Sequence, residues 1–210
     1  MILLKKTLVT FFFSGVVFSG CSQNIQLPGP EKTGGKPLME ALNERRSARD
    51  FIAEKSLSEQ TLSNLLWAAW GYNRENKRTA PSSRDRQEIT VYICMSSGTY
   101  KYDAKHNELI LVNRKDLRNV TGVQDFVASA PLNLVYVADM AKVTGKNKEE
   151  SLAAVYANTG FIAQNVYLFC ASDGLNCVIR AMIDREMLAK ELGLSAQEMI
   201  TLSQTVGYGE

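Results

Sequence analysis

Glu44-Arg45-Arg46-Ser47-Ala48-Arg49-Asp50-Phe51 sets three guanidinium groups and a hydroxyl within five consecutive positions, 45–49. It follows Leu38-Met39-Glu40-Ala41-Leu42, whose apolar spacing predicts a short helix over residues 38–46. Arginine offers a rigid fork of donors that matches phosphate oxygens, and serine adds a further hydrogen bond. A solvated helix end would carry a similar cluster, because the macrodipole draws cations to a C-terminus. The order of the segments that follow separates these readings.

Residues 58–70 predict a second helix, with Leu62, Leu65, Leu66 and Ala69 on its core face and Gly71 and Asn73 as its stop. Residues 73–87 are polar, carry Arg74, Lys77, Arg78, Arg84 and Arg86, and read as one long loop. Residues 88–96 predict a strand, and 99–102 pairs with 109–112 as a hairpin. Short helices near 115–119 and 123–129 precede residues 131–139, an apolar run that suits a strand buried on both faces. A long helix is expected over 149–172, ended by Asp173-Gly174. Its small and aromatic residues, including Tyr156, Gly160, Ala163 and Tyr167, suit either a central core helix or a subunit interface. A strand at 175–182, a helix at 184–191, a capping box at Ser195-Ala196-Gln197-Glu198 and a last strand at 200–208 complete a mixed helix-and-sheet chain. No internal repeat or low-complexity segment interrupts it.

The first twenty residues read as a targeting segment: Lys5-Lys6, then a mostly apolar core over 8–18, too short for a comfortable membrane span. Phe18-Ser19-Gly20-Cys21 resembles a lipoprotein signal-peptidase box, with Cys21 as the lipidated residue; an ordinary cleaved signal or an uncleaved anchor would share the apolar core. Residues 21–36, with Pro28-Gly29-Pro30 and Gly34-Gly35, read as a lipid-anchored flexible tether, and 37–210 as one domain. Loss of residues 1–20 lowers Lys+Arg from 24 to 22 against 22 acidic residues, so the mature chain is formally neutral and argues for no nucleic acid. Attachment to a bacterial membrane, periplasm-facing or at the cell surface, is expected through the lipid anchor only. Cys94 reads as a buried small hydrophobe. Cys170 and Cys177 bracket a turn and either form a bridge or point into the core. His106 is the only histidine and no Cys-x-x-Cys occurs, which argues against a zinc site or a histidine-dependent triad.

Arg45-Arg46-Ser47-Ala48-Arg49-Asp50-Phe51 resembles the N-terminal flavin-phosphate motif of the nitroreductase family. Arg78-Thr79-Ala80-Pro81-Ser82-Ser83-Arg84 is similar to that family's Pro-Ser loop before its first core strand. Gly98-Thr99-Tyr100-Lys101-Tyr102-Asp103, the run Ala130 to Asp139, and Gln164-Asn165-Val166-Tyr167-Leu168 leading to Gly174-Leu175-Asn176-Cys177-Val178 continue the likeness in order over residues 37–208. The second and third pieces look closest to the branch containing peptide thiazoline/oxazoline dehydrogenases.

The resemblance implies an α+β fold: a central, mostly antiparallel sheet flanked by helices, with a long central helix at the heart of a homodimer. It implies FMN between two subunits. Arg45, Arg46, Ser47 and Arg49 match phosphate and ribityl contacts, and Pro81, Ser82 and Ser83 match a loop reaching the flavin across the dimer. Arg84 stands where many relatives carry a small or amide residue, and suits an exposed loop charge equally well. Ala181-Met182 matches the backbone donors near flavin N5, but the glutamate and glycine of many relatives are replaced, so only a backbone role carries over. No catalytic acid or nucleophile stands out, and no metal is expected.

The reaction implied is ping-pong hydride or electron transfer through the flavin, from a small-molecule donor to an aromatic, nitro or quinone-like oxidant. Two departures matter. The run Val206-Gly207-Tyr208-Gly209-Glu210 lacks the basic residues with which many relatives complete the phosphate site, leaving the N-terminal arginines, or Arg180 or Arg185, to hold it. An exported protein would also lack ready access to nicotinamide dinucleotides, so a quinol or a partner flavoprotein is an alternative donor. Two other readings stay open: a lipoprotein that binds flavin or an aromatic ligand without turnover, and a peptide azoline dehydrogenase.

Overall fold

The structure, a computed structural model, describes residues 24–53 and 55–209. The expected targeting segment and Cys21 lie outside the described residues. In chain order the elements are β1 (Ile25–Gln26), α1 (Leu38–Glu44), α2 (Glu59–Trp70), β2 (Tyr72–Arg74), β3 (Lys77–Arg78), β4 (Ile89–Met95), β5 (Gly98–Asp103), β6 (Glu108–Asn113), α3 (Phe126–Ser129), β7 (Leu132–Asp139), α4 (Lys148–Asp173), β8 (Asn176–Arg180), α5 (Arg185–Leu192) and β9 (Glu198–Gly207). Seven strands form one sheet in the order β1-β6-β5-β4-β7-β9-β8, antiparallel at every step. The α+β class with a mostly antiparallel sheet and flanking helices is as expected.

Strand geometry divides the core. Side chains alternate across a strand, so Leu132, Leu134, Tyr136 and Ala138 of β7 join Ile89, Val91 and Ile93 of β4 on the face covered by α2 and α4. Val135 and Val137, with Tyr92 and Cys94, meet Leu188 and Leu192 of α5 on the other face. The continuous apolar run at β7 is thus buried on both sides. Each such side chain contributes roughly 1.5–3 kcal/mol. Tyr136 is tolerated there because its hydroxyl donates to Gln204 Oε1 at 2.6 Å.

The helix ends follow from their caps. Ser58 accepts from the Thr61 N–H at the start of α2, and Asn147 accepts from the Glu150 N–H at the start of α4. Gly174 ends α4 with φ of 71°, a left-handed position that suits glycine. Ser195 and Glu198 make the expected capping contact, Ser195 N–H to Glu198 Oε2 at 3.0 Å. It encloses a turn at 196–197, directly before β9.

Two expectations are corrected. Residues 24–36 are not a free spacer but a strap laid over the domain. Ile25 and Gln26 pair with the edge strand β6, Leu27 is buried, Pro28 O accepts from Ser63 Oγ at 2.5 Å, and Lys36 N–H donates to Ser172 Oγ. Backbone pairing at a sheet edge needs no apolar period, so the sequence pattern did not announce it. Residues 73–87 are not one irregular loop. Tyr72–Arg74 and Lys77–Arg78 pair as a hairpin, turning at Asn76 with φ of 55°. The Arg78 guanidinium holds the hairpin by lying over the Trp70 and Tyr72 rings, 5.0 and 4.0 Å from their centroids.

Candidate functional site

After α1 the chain turns extended at Arg45 and runs beside β8 as a ribbon. Ala48 N–H donates to Cys177 O at 3.0 Å and Ile52 N–H to Tyr208 O at 2.9 Å. Ala48 and Phe51 are buried anchors, and Phe51 packs on Phe126 with ring centroids 5.5 Å apart. With those two turned inward, Arg46, Ser47, Arg49 and Asp50 face outward. Asp50 is held by the Asn176 amide, which donates to its carbonyl and carboxylate at 2.9 and 3.0 Å. Arg45, Arg46 and Arg49 form no ion pair among the described residues.

Arg45 and Arg46 border a cleft of about 480 Å³, together with Tyr167, Asn176, Cys177 and the ion-paired Lys36 and Glu44. The Arg45 guanidinium lies 5.3 Å from the Tyr167 ring centroid. The Tyr167 hydroxyl bridges Ser47 Oγ at 2.7 Å and the Ile179 N–H at 3.0 Å, fastening ribbon, α4 and β8 at one point. Tyr167 is therefore part of the site's frame, although its sequence context reads only as core or interface. The set is cationic and rich in donors, and suits a phosphorylated ligand.

The Pro-Ser loop sits apart from the ribbon of its own chain. Pro81 is exposed, and Ser82 Oγ accepts from the Gln87 N–H at 3.0 Å. Ser83 N–H and Oγ both donate to Asn158 Oδ1, at 3.1 and 3.4 Å. Arg84 is exposed, and Arg84, Asp85 and Gln87 all have positive φ, at 56°, 55° and 50°. Three non-glycine residues in the left-handed region within four positions is a strained arrangement. It is braced by Arg78 Nε donating to Gln87 Oε1 at 2.9 Å, by Arg86 Nη2 to Thr144 Oγ1 at 2.8 Å, and by an exposed Lys77–Asp85 ion pair.

Tyr167 and Asn158 are nine residues apart on α4. That spacing is about two and a half turns and about 13 Å of rise. Ribbon and loop therefore meet α4 on opposite faces of the helix.

Ala181 and Met182 follow β8 and are exposed, Met182 at 63%. Neither Arg180 nor Arg185 joins the arginine cluster of the ribbon. Arg180 is 6% exposed and donates to Thr121 O, Asn133 Oδ1 and Thr205 Oγ1 at 2.7–2.9 Å. Burial lowers its pKa to about 10. Gly122 makes room for it, since a Cβ there would lie 1.8 Å from Arg180 Nη1. Arg185 is spent on the carbonyls of Ile200 and Thr201, at 3.1 and 2.8 Å. Cys94, Cys170 and Cys177 are buried free thiols. Burial, reinforced by contact with Cys177, raises the Cys170 thiol well above its ordinary range and so makes it a poor nucleophile.

The chain is similar to known proteins over most of its length. It is 28% identical to a protein of Methanocaldococcus jannaschii named as a nitroreductase, over 80% of this chain and 89% of that one. A solved nitroreductase structure from Ralstonia eutropha JMP134 superposes with a TM-score of 0.83 at 42% identity, covering 89% of this chain and 90% of its own. The E. coli microcin synthetase complex shares the fold at 17% identity, with a TM-score of 0.68 over 98% of this chain and 85% of that one. Residues 42–208 match the model of the nitroreductase family, and the chain belongs to that family.

Proposed function

We propose that this protein is an FMN-dependent oxidoreductase working as a homodimer, passing hydride or electrons from a small-molecule donor to a nitro, quinone-like or other small aromatic acceptor. The observation that carries the reading is the ribbon: three guanidinium groups without carboxylate partners, two of them bordering a cleft large enough for a phosphorylated group. In this reading Arg45, Arg46 and Arg49 neutralise the phosphate, and Ser47, fixed by Tyr167, serves the ribityl chain. Bound flavin would supply the redox chemistry. The backbone at Ala181-Met182 orients the ring, and Pro81, Ser82, Ser83 and Arg84 approach it from the partner subunit. Unlike many relatives, this chain presents no carboxylate at the 181–182 turn, so acid–base work falls to solvent or to the substrate itself.

Dimerisation is supported by what the helices leave uncovered. Ala153, Tyr156, Ala157, Gly160, Phe161 and Gln164 recur at helical spacing on one exposed side of α4. Leu38, Met39 and Leu42 of α1 are exposed as well. A second copy packed on this side brings its loop toward the ribbon, which resolves the separation of the two half-sites across α4. We further propose that lipidation at Cys21 holds the dimer at a bacterial membrane, facing the periplasm or the outside.

The test is colour and mass. Purified protein lacking residues 1–20 is expected to be a yellow dimer that releases FMN on denaturation and bleaches anaerobically with a reductant. A colourless monomer that takes up no added FMN would overturn the reading and favour ligand binding without turnover. The fold shared with the microcin synthetase complex favours azoline dehydrogenation as a second reading. Oxidation of a thiazoline peptide, with no turnover of nitroaromatics or quinones, would select it.

A further inference from the structure

Glu88 is the most deeply buried carboxylate in the described residues, 1% exposed at the foot of the Pro-Ser loop. No cation pairs with it among the described residues. Its Oε1 accepts from Asn158 Nδ2 at 2.7 Å, while Oε2 is buried without a partner. Such a group is expensive to bury, and a neutral residue of similar shape would cost less. Its retention calls for a role.

The hydrogen bonds supply one. An asparagine amide has a donor end and an acceptor end. Because Glu88 Oε1 is an acceptor, it fixes the Nδ2 end of Asn158 toward itself. The Oδ1 end is thereby turned to the loop, where it takes both the N–H and the hydroxyl of Ser83. Ser83 is left with free oxygen lone pairs. Ser82, whose oxygen is engaged by the Gln87 N–H, is left with a hydroxyl proton to give. The loop thus offers one acceptor and one donor side by side, next to three left-handed residues that hold the turn open.

We propose that Glu88 and Asn158 are positioning residues. They set the polarity and place of Ser82 and Ser83, which then meet the alternating acceptor and donor groups on the pyrimidine edge of the partner's flavin. This inference rests on the proposed FMN dimer for its last step only; the hold of Glu88 and Asn158 on the loop stands independently of any ligand.

Three variants test it. Asn158→Ala removes the link, Glu88→Leu removes the acceptor that orients it, and Glu88→Gln keeps an acceptor oxygen while discarding the charge. Hydrogen exchange at the Ser83 amide is measured in flavin-free protein, with Val135 and Val178 amides as remote controls. FMN affinity is measured by titration. Asn158→Ala and Glu88→Leu are expected to speed Ser83 exchange and weaken FMN binding, each by about tenfold, with the control amides unchanged. Glu88→Gln is expected to stay within about threefold of wild type in both, the rescue a general packing role would not single out. If Glu88→Leu does not fold, Asn158→Ala and Glu88→Gln carry the comparison alone. Ser83 exchange unchanged in Asn158→Ala overturns the inference, whatever the flavin does. Faster Ser83 exchange in the variants, with wild-type protein itself binding no FMN, refutes the flavin reading and upholds the hold on the loop.

Discussion

The ribbon at residues 45–52 and the loop at 81–87 are both polar and partly exposed, yet they are built in opposite ways. The ribbon is fixed through its backbone, by Ala48 to Cys177 and Ile52 to Tyr208, and leaves its cationic side chains without ion pairs among the described residues. The loop is fixed through its side chains, by Asn158, Arg78, Thr144 and Lys77, and its backbone carries the strain. The first arrangement suits a flexible, charge-driven grip on an anion. The second suits rigid presentation of short hydroxyl groups to a flat edge. Together they describe a ligand with a charged tail and a polar aromatic head, which is what the proposed FMN site requires.

The largest expected effect lies on the ribbon. Arg45→Ala combined with Arg49→Ala should weaken FMN binding by about 10²- to 10⁴-fold, since each charge-assisted bond contributes roughly 1.5–3 kcal/mol. Thermal stability should fall only slightly, because neither side chain makes an ion pair or a hydrogen bond among the described residues and the contact of Arg45 with the Tyr167 ring contributes about 0.5–1 kcal/mol. Fluorescence titration and a melting curve check both halves. Retained affinity in the double variant would break the comparison, because the ribbon would then grip nothing.

A smaller effect should come from the point where the ribbon is fastened. Tyr167→Phe removes the hydroxyl that serves Ser47 and the Ile179 N–H. The amide is left short of a partner, so a loss of about 1–2 kcal/mol is expected. Urea denaturation reads it. A midpoint equal to wild type would show that the backbone bonds to β8 and the C-terminal strand suffice. FMN affinity should fall less than in the arginine pair, because Ser47 is released rather than removed.

Sequence pattern carried most of this architecture, and the exceptions share a cause. Leu62, Leu65, Leu66 and Ala69 mark α2, the unbroken run at 132–139 marks a doubly buried strand, and Gly174 marks the end of α4, all through periodicity or backbone preference. The Arg-Arg-Ser-x-Arg run was legible because its side chains face outward in a short span. The strap at 24–36 and the hairpin at 72–78 were not, because edge pairing and an arginine stacked between rings leave no apolar period. Glu88 and Asn158 were invisible for a related reason. A buried polar residue has meaning only through its partner, and theirs is 70 residues away. Arg180 reads in the sequence as a spare phosphate ligand, but three buried acceptors occupy its guanidinium.

The smallest effect belongs to the outer brace of the loop. Lys77, hydrogen-bonded to Asp85 and helped by Gln87, lowers the Asp85 pKa below its ordinary 3.8. A lowered carboxylate pKa means that the pair adds stability above the ordinary value and loses it as pH falls through the lowered one. Both partners are well exposed, so salt and water screen the attraction. Lys77→Met should therefore lower the melting temperature only slightly at pH 7, and the gap should close in acid below the ordinary carboxylate range or in about 0.5 M salt. A large drop that survives salt would locate the loop's support at its exposed rim. In that case the left-handed turns at Arg84, Asp85 and Gln87 depend on a surface ion pair, and the contrast with the backbone-fastened ribbon is weaker than the buried amide of Asn158 indicates.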